Sequence, residues 1–318
     1  MFSSSQDKLI SYFKNAVEGD SLRQAYIIKG EAGLGKKEAL KQISRYIMCH
    51  NGAACGKCNG CLSLDAGANP DCVRVTNGDK KIIELEKIRN MIKEVYIKPL
   101  NGKYKLFIIE NAHLMDAAPQ NALLKVIEEP PPYAIFVLVC DNLNSILQTI
   151  LSRTQVLELE KCSTEDLKAI CPLPQENSYM YTYCMGNIGV LKSISSDESF
   201  RLLREGVIST FVNMIKNGDY SVYEVIDFWL ENKDSKDILL NILTMFLRDV
   251  VLIKTDSASL VANTDKMAQL TEVCQKTSLK EAFAMLSNIN DAPRLMGKYG
   301  NFSMVVQTLF ANLKSDRA

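Results

Sequence analysis

The chain has 318 residues, 47% apolar and 23% charged: a globular composition, long enough for two or three domains and outside the range that stays unfolded. Lys+Arg and Asp+Glu both number 37, so the net charge is zero, which excludes a protein that holds nucleic acid by bulk positive charge. No apolar run approaches the ~20 residues that span a bilayer. The N-terminus interrupts its apolar positions with Asp7, Lys8 and Lys14 and offers no small-residue cleavage site, so a cytoplasmic protein without a membrane partner is expected.

In chain order, residues 24–29 form a strand-like run that ends in Gly30-Glu31-Ala32-Gly33-Leu34-Gly35-Lys36. A helical face follows, carrying Leu40, Ile43, Tyr46 and Ile47. Residues 72–75 read as a strand, 82–95 as a helix, 104–109 as a strand buried on both faces, 120–129 as a helix stopped by Pro130-Pro131-Pro132, 134–139 as a second buried strand and 155–159 as a short last one. Strands alternating with helices predict a parallel α/β sheet. Beyond residue 161 the strand signals vanish. Capping boxes at Ser221-Val222-Tyr223-Glu224 and Ser278-Leu279-Lys280-Glu281 and amphipathic stretches over 237–253 and 302–313 predict an all-helical remainder. The expected division is a sheet domain over 1–160, a small helical unit over 161–200 and a helical bundle over 201–318.

The segment from Gly30 to Lys36 fits G-x-x-x-x-G-K in the strand-to-helix context that gives the motif meaning. Gly30, Gly33 and Gly35 let backbone N–H groups turn toward phosphate oxygens, and Lys36 adds a full charge to the helix N-terminus. The plain alternative is a glycine-rich turn without a ligand. The next position of the motif needs a hydroxyl to ligate Mg²⁺, and here it is Lys37. After the strand at 104–109, the acidic pair that would hold metal and prime water is Glu110-Asn111. Asn111 cannot accept a proton from water, and a lost general base alone costs ~10²–10⁴ in rate. ATP binding is therefore expected to be weak or absent, and hydrolysis negligible.

Of ten cysteines, Cys49, Cys55, Cys58 and Cys61 fall within thirteen residues. Two C-x₂-C turns sharing Cys58, with Gly56 and Gly60 easing the path, supply four soft ligands suited to tetrahedral, structural Zn²⁺. An iron–sulfur cluster is the rival, but its usual spacing differs and no Cys-Pro follows; His50 is an alternative ligand to Cys49. Cys72, at a strand start, reads as a core residue. Arg153, in Leu151-Ser152-Arg153-Thr154, is a surface salt-bridge residue taken alone. Beside another nucleotide-binding subunit it would be an arginine finger given in trans. Trp229 reads as packing rather than a base-stacking platform, and His113 as a loop hydrogen-bonder.

These motifs together resemble the clamp-loader subunits of bacterial DNA polymerase III, in the AAA+ family, and most of all their delta prime type. The resemblance covers most of the chain. It rests on Ala25-Tyr26 before the glycine loop, the four-cysteine insertion, Asn69-Pro70-Asp71, Asn121-Ala122-Leu123-Leu124-Lys125 leading to Glu128-Glu129-Pro130, Leu147 to Arg153, and Asn301-Phe302. Thr154 replaces the Cys of the family's Ser-Arg-Cys. Gly186-Asn187-Ile188-Gly189 lacks the Arg that active members carry in the corresponding lid helix. The resemblance implies an AAA+ P-loop domain with a zinc-binding insertion, a helical lid and an oligomerising collar. It implies a subunit that hydrolyses no ATP and offers Arg153 to a motor neighbour. Its expected partners are motor and delta subunits in a hetero-pentamer, the sliding clamp, and primed DNA through the complex. The competing readings are an active gamma/tau-like loader ATPase and a stand-alone zinc-dependent nucleic-acid binder, which the neutral charge disfavours.

Overall fold

The computed structural model describes residues 2–78, 80–217, 219–299 and 302–315. Packing divides the chain into two units, Met1–Ile170 with Gly186–Gly189, and Cys171–Met185 with Val190–Ala318. The expected small unit at 161–200 is thus shared between the two in this division.

In the first unit, helix α1 (Ser4–Glu18) precedes strand β1 (Ala25–Lys29), α2 (Lys36–Met48), α3 (Asn59–Asp65), β2 (Cys72–Val75), α4 (Leu85–Val95), β3 (Lys105–Ile109), α5 (Ala117–Glu128), β4 (Ala134–Cys140), the short α6 (Gln148–Leu151), β5 (Gln155–Glu158) and α7 (Thr164–Ile170). The strands form one parallel sheet in the order β2-β3-β4-β1-β5. Alternation along each strand feeds two cores. Ala25, Ile27, Phe107, Ile109, Phe136 and Leu138 face α4 to α6, whereas Tyr26, Ile28, Leu106, Ile108, Ile135 and Val137 face α1 to α3. Helices on both faces explain why β3 and β4 are buried throughout and, Lys105 apart, apolar.

Most expected elements stand within one to three residues of their predicted limits. The helix predicted from 82 starts at Leu85, with Glu84 as its N-cap and Ile82 exposed, and α5 starts three residues early, at Ala117. The register of β1 on β4 sets Lys29 beside Cys140, and the Gly30 N–H donates to the Cys140 carbonyl at 3.1 Å. The loop after β1 and the residue after β4 therefore share the carboxyl edge of the sheet, where open α/β sheets hold their ligands.

The second unit contains α8 (Tyr179–Tyr183), α9 (Ile188–Ser196), α10 (Glu198–Asn217), α11 (Asp219–Glu231), α12 (Lys236–Lys254), α13 (Met267–Lys276), α14 (Leu279–Tyr299) and α15 (Phe302–Ser315); α9 begins in the 186–189 turn assigned to the first unit. No helix among the described residues is long and apolar enough to cross a membrane. The Ser278 capping box is present, since the Glu281 N–H donates to Ser278 Oγ and the Ser278 N–H to the Glu281 carboxylate. The helix expected to open at Ser221 opens at Asp219 instead. Asn301 lies outside the described residues. A buried polar knot ties α10 and α12 to the loop before α13. Asp249 accepts from the N–H groups of Ala262 and Asn263, and Arg204 reaches Asn263 and Asp265 while stacking 3.5 Å from the Tyr179 ring centroid. Every charge in it has a partner, as burial requires.

Trp229 is fully buried, edge-on to Phe310 at 5.2 Å, and its indole N–H finds no acceptor among the described residues. It is a packing residue and offers no stacking face. Trp229→Ala should cost ~3–5 kcal/mol. Trp229→Phe should cost far less, because the phenyl ring keeps packing that alanine gives up, while both variants recover the ~1–3 kcal/mol of the orphaned donor. Urea unfolding followed by circular dichroism reads both; equal losses would show that the ring contributes no packing at this position.

Candidate functional site

The glycine loop leaves β1 and turns through Gly33 and Gly35 at φ +87° and +84°, which a side chain tolerates poorly. Lys36 opens α2, and its amine folds back on the loop. Nζ donates to the carbonyls of Gly30 at 2.5 Å and Glu31 at 2.8 Å and to Asp141 Oδ1 at 2.8 Å. An ammonium has three donors, and all three are engaged. Its side chain is only 10% exposed. Asp141 is the residue placed beside the loop by the β1–β4 register, and its own N–H donates to His113 Nδ1 at 3.2 Å, the loop role expected of His113.

The 186–189 turn lies directly on the loop. Asn187 Nδ2 donates to the Ala32 carbonyl at 2.7 Å and the Gly189 N–H to the Gly33 carbonyl at 2.9 Å. A Cβ on Gly189 would meet the Gly33 backbone at 2.7 Å, and one on Gly33 would meet Asn187 Oδ1 at 2.4 Å, so both glycines are required by close approach. From the other side, Gln6 of α1 donates to the Gly35 carbonyl at 2.9 Å.

At the positions where metal and water would be handled, Lys37 is exposed and borders an open cavity of about 650 Å³ with Lys41 and Arg74. Glu110 lies 3.7 Å from Arg74, and Asn111, in the left-handed region at φ +54°, donates to Asn77 Oδ1 at 2.9 Å. Lys36, Glu110 and Asn111 are thus each committed to protein partners.

The four cysteines converge. Their Sγ atoms lie within 4.8 Å of one another, with Cys49 at 3.6 Å from Cys55 and 3.9 Å from Cys58. A tetrahedral ion with metal–sulfur bonds of about 2.3 Å sets sulfurs about 3.8 Å apart, so the group has the dimensions to hold a metal ion. Cys49, and not His50, belongs to it. The glycines expected to ease the path do so differently: Gly56 by φ +67°, and Gly60 because a Cβ there would meet the Met48 carbonyl at 2.2 Å. Burial opposes ionisation of Cys49, but N–H groups of Cys55, Asn51 and Ala53 aimed at its sulfur outweigh it and bring the thiol down to about 6. Cys61 is pushed up to about 12, first by burial and then by the neighbouring sulfurs. Asn69 anchors the module to the sheet by donating to the Gly60 carbonyl at 3.1 Å and accepting the Asp71 N–H. Asp71 in turn holds the N–H groups of Leu100 and Asn101. Cys72 packs at the margin of the α1–α3 core, as expected.

Arg153 follows α6. Its Nη1 donates to the Thr149 carbonyl and to Ser152 Oγ, and Nη2 pairs with Glu128 Oε1 at 2.8 Å. Its side chain is 39% exposed, and its Nε–H has no partner among the described residues. Asp141 and Gln6 are residues here that the motifs do not include, and Glu128, part of the Glu128-Glu129-Pro130 motif, carried no expected role beside Arg153. For Asp141 the signal was available, as a lone acid directly after a strand buried on both faces.

A parallel sheet with this strand order, a glycine loop after β1, which lies between β4 and β5, and a helical C-terminal half define a P-loop protein of the AAA+ kind. The family described as DNA polymerase III, delta subunit, matches residues 5–163, and its C-terminal counterpart matches 200–302. The chain belongs to that family and is a clamp-loader subunit. Among curated relatives, the DNA polymerase III subunit delta' of Bacillus subtilis is 26% identical over 270 residues, 82% of this chain and 80% of that protein. The gamma/tau subunit of Mycoplasma genitalium is 32% identical over 163 residues, 50% of this chain and only 27% of that longer protein. A gamma-subunit-related protein of Thermotoga maritima superposes over 98% of this chain and 100% of its own with a TM-score of 0.46 and 15% identity, a likeness too loose to bear on function.

Proposed function

We propose that the chain is a delta prime-type subunit that turns over no ATP itself, lends Arg153 to the nucleotide site of a neighbouring motor subunit, and so helps to load the sliding clamp on primed DNA. In this reading it works inside a hetero-pentamer of motor and delta subunits, with residues 201–318 as the collar and Zn²⁺ held by Cys49, Cys55, Cys58 and Cys61. Four thiolates leave no open position on the ion, so its contribution is to fold the 49–61 module.

The observation that carries the reading is the state of Lys36. The charge that a phosphate would need is already matched by Asp141 and two loop carbonyls, under a turn that touches Ala32 and Gly33. Three sequence departures support it: Lys37 in place of a hydroxyl, Asn111 in place of an acid, and no arginine in the 186–189 turn. The delta' relative, alignable over most of both chains, supports the subunit type.

The test is ATP turnover by a complex reconstituted with a Lys36→Ala subunit. Turnover within twofold of the unmodified complex is expected, with no turnover by the isolated chain in Mg-ATP. An active loader ATPase would instead lose its own site with Lys36; turnover by the isolated chain that Lys36→Ala abolishes would replace this reading with that one.

A further inference from the structure

We propose that Glu128 is an exchangeable stand-in for the phosphate served by Arg153: it holds the guanidinium in a poised arrangement until a neighbouring nucleotide takes its place. The inference rests on the in-trans role proposed for Arg153 and adds a positioning residue to it.

Three observations lead there. First, the guanidinium is held through Nη1 by the Thr149 carbonyl and Ser152 hydroxyl of its own chain segment, and through Nη2 by a single exposed carboxylate. A guanidinium fork matches carboxylate and phosphate with the same geometry, so the Glu128 position is one a phosphate oxygen can take over. Second, both partners are well exposed, at 39% and 44%, and a pair in that setting is worth a factor of only about 1.5 to 5, weak enough to be exchanged. Third, helix stability does not account for Glu128. It is the last residue of α5, where the helix dipole disfavours a carboxylate, and Glu129 beside it adds a second negative charge. Among the described residues, Arg153 is the partner the structure gives it.

The consequence is competition. While Glu128 keeps its negative charge, a phosphate must displace it; with a neutral side chain there is nothing to displace. In a reconstituted complex, Glu128→Gln is expected to raise kcat/KM for ATP by about 1.5- to 5-fold, with the unfolding midpoint of the isolated subunit unchanged because the residue is exposed. In an Arg153→Ala background the same substitution should change nothing, because no guanidinium remains to be released. If Arg153→Ala lowers turnover while Glu128→Gln leaves it unchanged or lowers it, the stand-in role is overturned and the arginine role survives. If Glu128→Gln raises turnover equally with and without Arg153, Glu128 acts on something else and the inference fails. If Arg153→Ala itself has no effect, the parent reading fails and takes this inference with it.

Discussion

Arg153→Ala is expected to leave the subunit folded and the complex assembled while removing most catalysis at the one nucleotide site that receives this arginine. A finger supplied in trans is worth ~10³–10⁵ in turnover at its site. That corresponds to ~4–7 kcal/mol of transition-state stabilisation, far more than its exposed pairing with Glu128 contributes to folding. The two effects therefore separate cleanly: the unfolding midpoint should hardly move, and size-exclusion elution of the reconstituted complex should be unchanged. Steady-state ATPase of the complex should fall by at least the share of that one site, and further if the remaining sites fire in concert with it. Arg153→Lys should recover little, because an ammonium keeps the charge but loses the planar fork. An undiminished rate in the Arg153→Ala complex would show that the exposed guanidinium is a surface residue paired with Glu128 and nothing more.

Much of the sheet domain is readable from sequence because its strands are buried on both faces. Residues 105–109 and 134–140 are apolar almost without a break, a pattern that solvent-facing strands do not show. The cysteine module was readable for a different reason. Ligands spaced by two residues must turn the backbone around one centre whatever surrounds them, and Gly60 fits because the Met48 carbonyl approaches where its Cβ would be. The state of the glycine loop was only half readable. Lys37 and Asn111 announce missing chemistry, since each is a wrong atom at a motif position. The groups that close on the glycine loop from outside it are contributed by register and by distance in sequence. Asp141 comes from the neighbouring strand and Asn187 from a turn 155 residues after Ala32. A Gly-x-x-Gly string shows that an arginine is missing from the turn, but not that the turn lies on the loop. The Glu128–Arg153 pair is hidden in the same way: each belongs to a recognisable motif, and only the packing of α5 on α6 brings them together.

Loss of the metal is expected to have the next largest effect, because four sulfurs converge on one centre. Cys58→Ser should abolish stoichiometric metal binding, yet preserve the local backbone. Cys58 is the N-cap of α3, and its sulfur accepts the Cys61 N–H at 3.5 Å. A serine hydroxyl caps a helix at least as well, so any stability lost in this variant is due to the metal and not to the cap. Apparent metal contributions in small zinc peptides reach ~10–16 kcal/mol because the whole fold depends on the ion. Here only the 49–61 module does, since the sheet has its own two cores and α3 stays tethered through Leu64 and the Arg45–Asp65 pair. The expected loss is therefore below that range and confined to the module, with 49–65 opened to proteolysis and the sheet intact. Chelation of the unmodified protein should reproduce that pattern, and Cys72→Ser, outside the sulfur group, should keep its metal. Purified Cys58→Ser protein carrying one metal per chain would refute the ligand set. Iron with inorganic sulfide in the unmodified protein would keep the four ligands and replace the ion.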